Sequence, residues 1–278
     1  MVVFLLGISA LLYPVASNYL AEKNNSTAIA EYAEKVAELT PDERDAVWQA
    51  AERYNERLTG QSGDDPFRAG AGPEPDDDYE NLLNLGGIMG YLDIPRIGVR
   101  LPIYHGTGEA TLKRGLGHLR GSTLPIGGSP RHAVITGHTG LSSAKLLTDL
   151  KELHEGDQFY FHVLGEVLAY EVNRIHVIEP QRTDDLRRVA DHDYATLLTC
   201  TPYGVNSHRL LVRGERVDFD PGARPAITPA VESATDRLTL YAAVATSALM
   251  LLLVATPALA SRRREDDHAG ADVSGERP

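Results

Sequence analysis

The alternation of apolar and polar positions divides the chain into a helical start, a polar tract and a region of short strands. Residues 26–58 carry apolar side chains at helical spacing, and Thr40–Glu43 (TPDE) is a capping box with proline at the first helical position. Residues 60–80 are rich in Gly, Pro and Asp, which predicts a linker without regular structure. The pattern therefore places helix first and β structure after about residue 85.

Beyond that point the pattern predicts strands joined by turns. The predicted strands are Ile88–Ile94, His132–Thr136, Gln158–Leu164, Val167–Ile178, Ala195–Cys200 and Arg209–Arg213. A hairpin turn is predicted at Gly165-Glu166, and short helices are predicted at Gly108–Lys113 and Ser142–Leu153. Many short antiparallel strands with few helices are typical of a closed or partly closed barrel, so the predicted fold class is mainly β.

Two apolar segments flank this region. Leu238–Ala260 is an uncharged run of 23 residues followed by Arg262–Arg264, which predicts a transmembrane helix with a cytoplasmic basic end. Residues 1–20 are also apolar, but they lack a basic start and contain Pro14. They predict a second anchor, or alternatively a cleaved leader with an unusual start. The expected arrangement is an exported domain held at the outer surface of a membrane.

The resulting domain boundaries follow these changes in composition. The predicted order is an anchor or signal-like segment (1–20), a helical region (21–59), a linker loop (60–84), a β domain (85–220), a stalk (221–237), the span (238–260) and a cytoplasmic tail (261–278).

Composition narrows the possible functions. With 42% hydrophobic residues the 278-residue chain can form a folded core, and a net charge of −12 argues against nucleic acid as a partner. One cysteine excludes an internal disulfide, a CxxC pair and a multi-cysteine metal site. Asp76–Asp78 could bind calcium, although a solvated acidic loop is the favoured interpretation. No metal or organic cofactor is predicted.

The single thiol, Cys200, ends one predicted strand, and Arg209 begins the next. If these strands pair as a hairpin, the two residues face each other across the mouth of the loop. A guanidinium in that position can lower the thiol pKa and stabilise an oxyanion. The alternative is a buried, inert cysteine and an arginine that pairs with a surface carboxylate.

A cysteine nucleophile usually needs a histidine, and the chain has ten. His138 follows an apolar strand and stands between Gly137 and Gly140, which predicts the exposure that a catalytic base needs. His105 and His118 also lie beside glycines and are secondary candidates.

These residues resemble the signature of a known family. Thr196–Cys200 (TLLTC) followed by Arg209 resembles the TLxTC…R signature of sortases, the cysteine transpeptidases of Gram-positive surfaces, and Gly137–Gly140 (GHTG) resembles their catalytic histidine turn. The resemblance runs from about Gly90 to Val217. It implies a sortase-type closed barrel of about eight strands, with His138, Cys200 and Arg209 catalytic. Thr199 and His118 are predicted to contact the substrate.

Within that family the chain resembles class C, the pilin-polymerising sortases. The active-site loop is close to the class C form, with Ser207 where threonine is commoner, and the C-terminal span is typical of that class. The tripeptide Asp65-Pro66-Phe67 resembles the class C lid motif. We expect Phe67 to fill a cleft beside the sulfur and Asp65 to pair with Arg209; an ordinary linker is the alternative.

The resemblance implies a reaction and its partners. Cys200 is expected to attack the Thr–Gly amide of an LPxTG-like sorting signal, forming a thioester that a pilin lysine amine resolves. The implied partners are LPxTG-bearing pilins or surface proteins and the membrane. One alternative is a sortase that uses a peptidoglycan amine to anchor proteins to the cell wall. Another is a non-catalytic scaffold tethered to the membrane on a sortase barrel.

Overall fold

The computed structural model describes residues 2–58, 67, 78–141, 143–222 and 246–247. Its α-helices are α1 (Val2–Glu38), α2 (Pro41–Arg57) and α3 (Glu109–Arg114). Its strands are β1 (Gly90–Ile94), β2 (Val99–His105), β3 (Leu116–His118), β4 (Arg131–Thr136), β5 (Gln158–Val163), β6 (Glu166–Ile178), β7 (Asp193–Thr201) and β8 (His208–Val217). Asp65 and Pro66 of the predicted lid lie outside the described residues, as do residues 223–245 and 248–278.

The eight strands close into a barrel in the order β1-β2-β3-β4-β7-β8-β6-β5, with β5 pairing back onto β1. Neighbours are antiparallel except for the parallel pairs β2–β3 and β4–β7. The prediction of a closed barrel is confirmed. Sequence patterning missed β2, which contains Pro102, and β3, which has only three residues. Both features weaken the alternation by which strands are found.

Aromatic side chains fill the barrel near the β5–β6 hairpin. Phe159, Phe161 and Tyr170 are completely buried, and the rings of Phe159 and Tyr170 stack at 5.6 Å with planes 13° apart. The hairpin turn itself consists of Leu164 and Gly165, both at positive φ (51° and 86°). Two residues at positive φ match a type I′ turn, which suits the twist of the strands. The turn lies one residue before its predicted position.

Helix α2 and the part of α1 after residue 16 pack on the barrel. The predicted capping box at the start of α2 is confirmed: Thr40 N donates to the Glu43 carboxylate at 2.9 Å, and Glu43 N donates to Thr40 Oγ1 at 3.3 Å. Asn55 of α2 bonds both the amide (2.7 Å) and the carbonyl (3.3 Å) of Leu124. The hydroxyl of Tyr32 in α1 accepts from the amide at the β5–β6 turn. These bonds fix Tyr32 and Asn55 against the barrel.

The short helix predicted over Ser142–Leu153 is confirmed only in part. The described part of this segment is a loop that ends in a short 3₁₀ helix, Thr148–Glu152. Leu147, Leu150 and Leu153 are all buried at a spacing of three, which suits a 3₁₀ turn. Leu146 is buried as well and takes a positive φ of 41°. Burial of adjacent leucines in the barrel core has overridden helix propensity here.

No helix within the described residues is long and apolar enough to cross a membrane. α1 runs through residue 20 without a break and contains Pro14. The two predicted flanking spans are unconfirmed, and Leu238–Ala260 lies outside the described residues apart from 246–247.

Candidate active site

Three neighbouring strands bring His138, Cys200 and Arg209 into one row at the rim of the barrel. The parallel pairing of β4 with β7 ends at Thr136↔Leu198, and two residues further along each chain His138 comes beside Cys200. In the antiparallel pairing of β7 with β8, Cys200 faces Arg209. Neighbouring strands lie about 4.8 Å apart, so the cysteine stands between the histidine and the arginine. We call these three candidate residues the catalytic row, after the roles predicted for them from the sequence.

Two hydrogen bonds extend the β4–β7 register beyond the last strand residue. Gly137 N donates to the carbonyl of Leu198 at 3.1 Å. The hydroxyl of Thr199 donates to the carbonyl of Gly137 at 2.7 Å. A side chain at Gly137 has no room, because its Cβ would lie 2.6 Å from Leu116 Cδ2. The backbone just before His138 is therefore held by two residues of β7, Leu198 and Thr199.

Arg209 is fixed at the mouth of the β7–β8 loop. Its Nη1 atom donates to the carbonyls of Asn206 and His208, each at 3.1 Å. Only 8% of Arg209 and 8% of Cys200 is exposed. A buried guanidinium beside a buried thiol concentrates positive charge where an oxyanion would form.

His138 has a different environment. Burial lowers the pKa of its imidazole, while the carboxylate of Glu109 raises it and the ammonium of Lys113 lowers it. The net lowering leaves the ring neutral at pH 7, the form that can take a proton from a thiol. Within the described residues, the ring makes no hydrogen bond, so no third side chain orients it as in a Ser-His-Asp triad.

The aromatic ring of Phe67 contacts both ends of the catalytic row. Its centroid lies 5.6 Å from the His138 ring, with planes 35° apart. The Arg209 guanidinium carbon lies 5.0 Å from the same centroid. The ring is partly buried against an apolar cluster that includes Leu119 and Leu198. Phe67 therefore reaches from the imidazole to the guanidinium, across the position of Cys200.

Comparison with known proteins explains this arrangement. Residues 92–217 match the model of the sortase domain. The chain is 46% identical to a crystal structure of sortase C-1 from Streptococcus pneumoniae, with a TM-score of 0.66 over 69% of this chain and 98% of that one. The chain belongs to the sortase family. Sortases are cysteine transpeptidases, and the solved relatives place this sortase with class C.

Two further relatives support the assignment. Sortase C-1 of Actinomyces oris is 47% identical, with a TM-score of 0.62, over 64% of this chain and 100% of that one. Sortase D of Bacillus subtilis (strain 168) is 27% identical over 135 residues, 48% of this chain and 65% of that protein. The matched part of this chain therefore spans less than two thirds of the length of the Bacillus subtilis sortase D.

The two side chains predicted to contact the substrate are both buried in this sortase. His118 is fully buried, and its ring nitrogens lie 2.9 Å from the Tyr79 hydroxyl and 2.9 Å from the Thr123 carbonyl. Burial lowers its pKa to about 4. Thr199 is 1% exposed and supports the backbone before His138 instead. Both residues stabilise the site from inside the barrel.

The other candidate histidine is also structural. The His105 ring nitrogen Nε2 lies 2.7 Å from the carbonyl of Leu82, and burial lowers the pKa of the imidazole. Within the described part of the chain, no group of three His, Cys, Asp or Glu side chains is placed to hold a metal ion.

Sequence reasoning missed the groups that surround His138 in this sortase. Glu109 and Lys113 act on it electrostatically from α3. Tyr203 lies over Gly140, where an added Cβ would be 2.9 Å from the tyrosine ring. Tyr203 is 64% exposed at the rim of the site. Oppositely charged residues four positions apart are common on solvent-exposed helix faces. The sequence alone therefore did not indicate that Glu109 and Lys113 act on His138.

Proposed function

We propose that this sortase polymerises pilins by cleaving an LPxTG-like sorting signal and joining it to a lysine of another subunit. The observation that carries the proposal is the catalytic row, with Cys200 between His138 and Arg209. In the first step His138 takes the thiol proton, and the sulfur attacks the carbonyl carbon of the threonine. Arg209 stabilises the oxyanion.

The tetrahedral intermediate then collapses to a thioester. The threonine–glycine C–N bond breaks as the imidazolium gives its proton to the departing glycine amine. In the second step a lysine amine attacks the thioester carbon, the C–S bond breaks, and an isopeptide bond remains. Cys200 and His138 are then ready for another cycle.

Two solved relatives support pilins as substrates. One, 38% identical, is the sortase C1 of a pilus island of group B streptococcus. The other, a Streptococcus pneumoniae sortase C, is described in terms of pilin substrate specificity. A peptidoglycan amine is the competing acceptor, since the acylation step is the same for both.

Phe67 is proposed to close the resting site as a lid. Its ring lies against His138 and Arg209, where a substrate carbonyl would have to approach Cys200. The contacts involve one partly buried ring, so the closed state is stabilised by only a few kcal/mol and opens transiently. The proposed partner of Arg209, Asp65, belongs to the same tripeptide.

Membrane attachment is part of the proposal and is supported by sequence. The apolar run Leu238–Ala260 followed by Arg262–Arg264 would anchor the enzyme, with the catalytic domain outside the cell and the tail inside.

The test is a competition between acceptors. Purified enzyme is mixed with an LPxTG-tailed pilin and with either a second pilin or a peptidoglycan-precursor peptide, and products are separated by mass. We expect covalent pilin dimers and higher polymers that the Cys200→Ala variant does not form. Transfer to the precursor alone would identify a wall-anchoring enzyme, and polymers made by Cys200→Ala would refute the catalytic role.

A further inference from the structure

Residues 138–141 and 143–149 are the described part of the loop that follows β4, and we call them the histidine loop. Two hydrogen bonds tie the beginning of this loop to its end. Leu147 N donates to the carbonyl of His138 at 3.2 Å, and the Thr139 hydroxyl donates to the carbonyl of Leu147 at 3.3 Å. The position of the His138 backbone therefore depends on the end of the loop as well as on β4.

A second set of bonds connects the turn at Gly140 to Lys145. Gly140 N donates to the hydroxyl of Thr148 at 3.3 Å, and that hydroxyl donates to the carbonyl of Lys145. Thr148 N donates to the same carbonyl at 3.0 Å. The neighbours of Lys145 in the chain, Ala144 and Leu146, are both buried. Lys145 therefore belongs to the same hydrogen-bonded unit as the turn that follows the histidine.

Helix α1 reaches this unit from outside the barrel. Asn18 of α1 accepts a hydrogen bond from Lys145 N at 2.8 Å through Oδ1. Its Nδ2 atom donates to the Glu22 carboxylate one turn later, also at 2.8 Å, so the second bond fixes which end of the amide faces Lys145. Ala21, on the same side of the helix, packs against the apolar cluster that contains Leu147. Two residues of α1 thus hold the histidine loop.

The imidazole of His138 depends on its backbone for its position. Among the described residues its ring makes no hydrogen bond, and the ring lies against Phe67, the proposed lid. When the lid opens, that contact is lost and the histidine loop alone sets the place of the ring. A displacement of about 1 Å in a catalytic group can cost about 10²-fold in rate. The bonds that hold the loop therefore matter most in the open, reactive state.

We propose that Asn18 is a positioning residue for His138, which it holds through Lys145 and the histidine loop. This inference rests on the proposed role of His138 as the base and acid of the transfer. It gives α1 a part in the reaction as well as in folding. It also bears on the alternative of a cleaved leader, because an enzyme cut after residue 20 would lack Asn18 and would be less active.

The experiment uses the full chain, an LPxTG peptide as donor and saturating hydroxylamine as acceptor. Asn18→Ala removes both side-chain bonds, while alanine favours the helix. We expect kcat to fall about two- to tenfold, the range that corresponds to the net strength of one ordinary hydrogen bond. KM should stay unchanged, because the substitution acts on the base and not on the peptide. The NMR signals of the His138 imidazole should shift, which reports on the loop directly.

Tyr32→Phe is the matched control, because it weakens the packing of α1 further along the helix. The Tyr32 hydroxyl accepts from Leu164 N at 2.8 Å and donates to the carbonyl of Met89 at 3.1 Å. Losing these buried bonds should lower the free energy of unfolding at least as much as Asn18→Ala does. Neither bond touches the histidine loop, so kcat and the imidazole signals should stay as in wild type.

A double substitution tests the hydrogen bond itself. Asn18→Asp combined with Glu22→Gln keeps the net charge and exchanges the two groups. A carboxylate at position 18 can then accept both from Lys145 N and from the amide at position 22. This variant should restore kcat to near the wild-type value.

The outcomes distinguish this inference from the proposed function. A wild-type kcat in Asn18→Ala with unchanged imidazole signals would overturn the inference. An equal loss of kcat in Tyr32→Phe, or no recovery in the double variant, would show that α1 contributes only general stability and would overturn it too. In each case the wild type still forms its thioester. A wild type that forms no adduct on Cys200 would refute the proposed function, and the role of Asn18 with it.

Discussion

Replacing Phe67 with alanine should unmask the thiol of Cys200. The ring is held by a cation–π contact with Arg209, by the His138 ring and by partial burial. A cation–π contact of about 1 kcal/mol and partial burial of a phenyl ring together stabilise the closed state, relative to the open state, by about 2–3 kcal/mol. If a thiol reagent reacts only with the open state, the variant should react roughly 30 to 150 times faster, at about 1.4 kcal/mol per tenfold.

The assay is alkylation of the enzyme by a small maleimide, followed by absorbance or intact mass. Cys200 is the only cysteine in the chain, so the signal reports on one site. Phe219→Ala is the matched control, because Phe219 is also partly buried and makes one edge-to-face contact with Tyr160 at 5.8 Å. It lies past the far end of β8 from Arg209, and its removal should leave the rate unchanged.

The same variant should change the titration of His138. Burial lowers the pKa of this imidazole, so exposing the ring should raise its pKa towards the ordinary value of about 6.5. Rates are therefore compared over a range of pH, and the imidazole is followed by NMR. The lid hypothesis fails if Phe67→Ala reacts no faster than Phe219→Ala at any pH.

Three further predictions concern the support of the site. Thr199→Val removes the hydrogen bond from the Thr199 hydroxyl to the Gly137 carbonyl. We expect kcat/KM to fall severalfold, while the free energy of unfolding measured by urea titration falls by only about 1 kcal/mol. An unchanged kcat/KM would contradict the positioning role of Thr199. Arg209→Lys should lower the acylation rate about 10²-fold or more, because an ammonium does not reproduce the fixed guanidinium; near-wild-type acylation would exclude Arg209 from oxyanion stabilisation. His118 and His132 have pKa values lowered to about 4 by burial, so the unfolded chain binds more protons than the folded one between about pH 6.5 and 4. The free energy of unfolding should therefore be lost as pH falls through that window, by up to about 3 kcal/mol per histidine, and a flat profile in urea titrations would contradict this.

One contact of the catalytic row, between Cys200 and Arg209, joins residues that are close in the chain and could be predicted from sequence. The pairing of Cys200 with Arg209 follows from two strands joined by one loop, and the structure has this register. The position of His138 does not follow in the same way, since β4 and β7 are parallel and far apart in the chain. Only the family resemblance indicated that these residues meet.

The sequence did not predict the burial of His118 and Thr199. Glycine beside His118 was interpreted as a sign of exposure, but Gly117 is needed because an added Cβ would lie 2.3 Å from the backbone carbonyl oxygen of Gly106. Thr199 precedes Cys200 in sequence, yet its side chain is buried and its hydroxyl donates to the carbonyl of Gly137. Side-chain burial depends on which elements pack together, and local sequence does not contain that information.

The most direct test of the central claim is the intact mass of the enzyme after mixing with an LPxTG peptide. The account predicts a thioester adduct on Cys200 that hydroxylamine releases, formed faster in Phe67→Ala and absent from Cys200→Ala. An adduct on another residue, or no adduct even in Phe67→Ala, would contradict it.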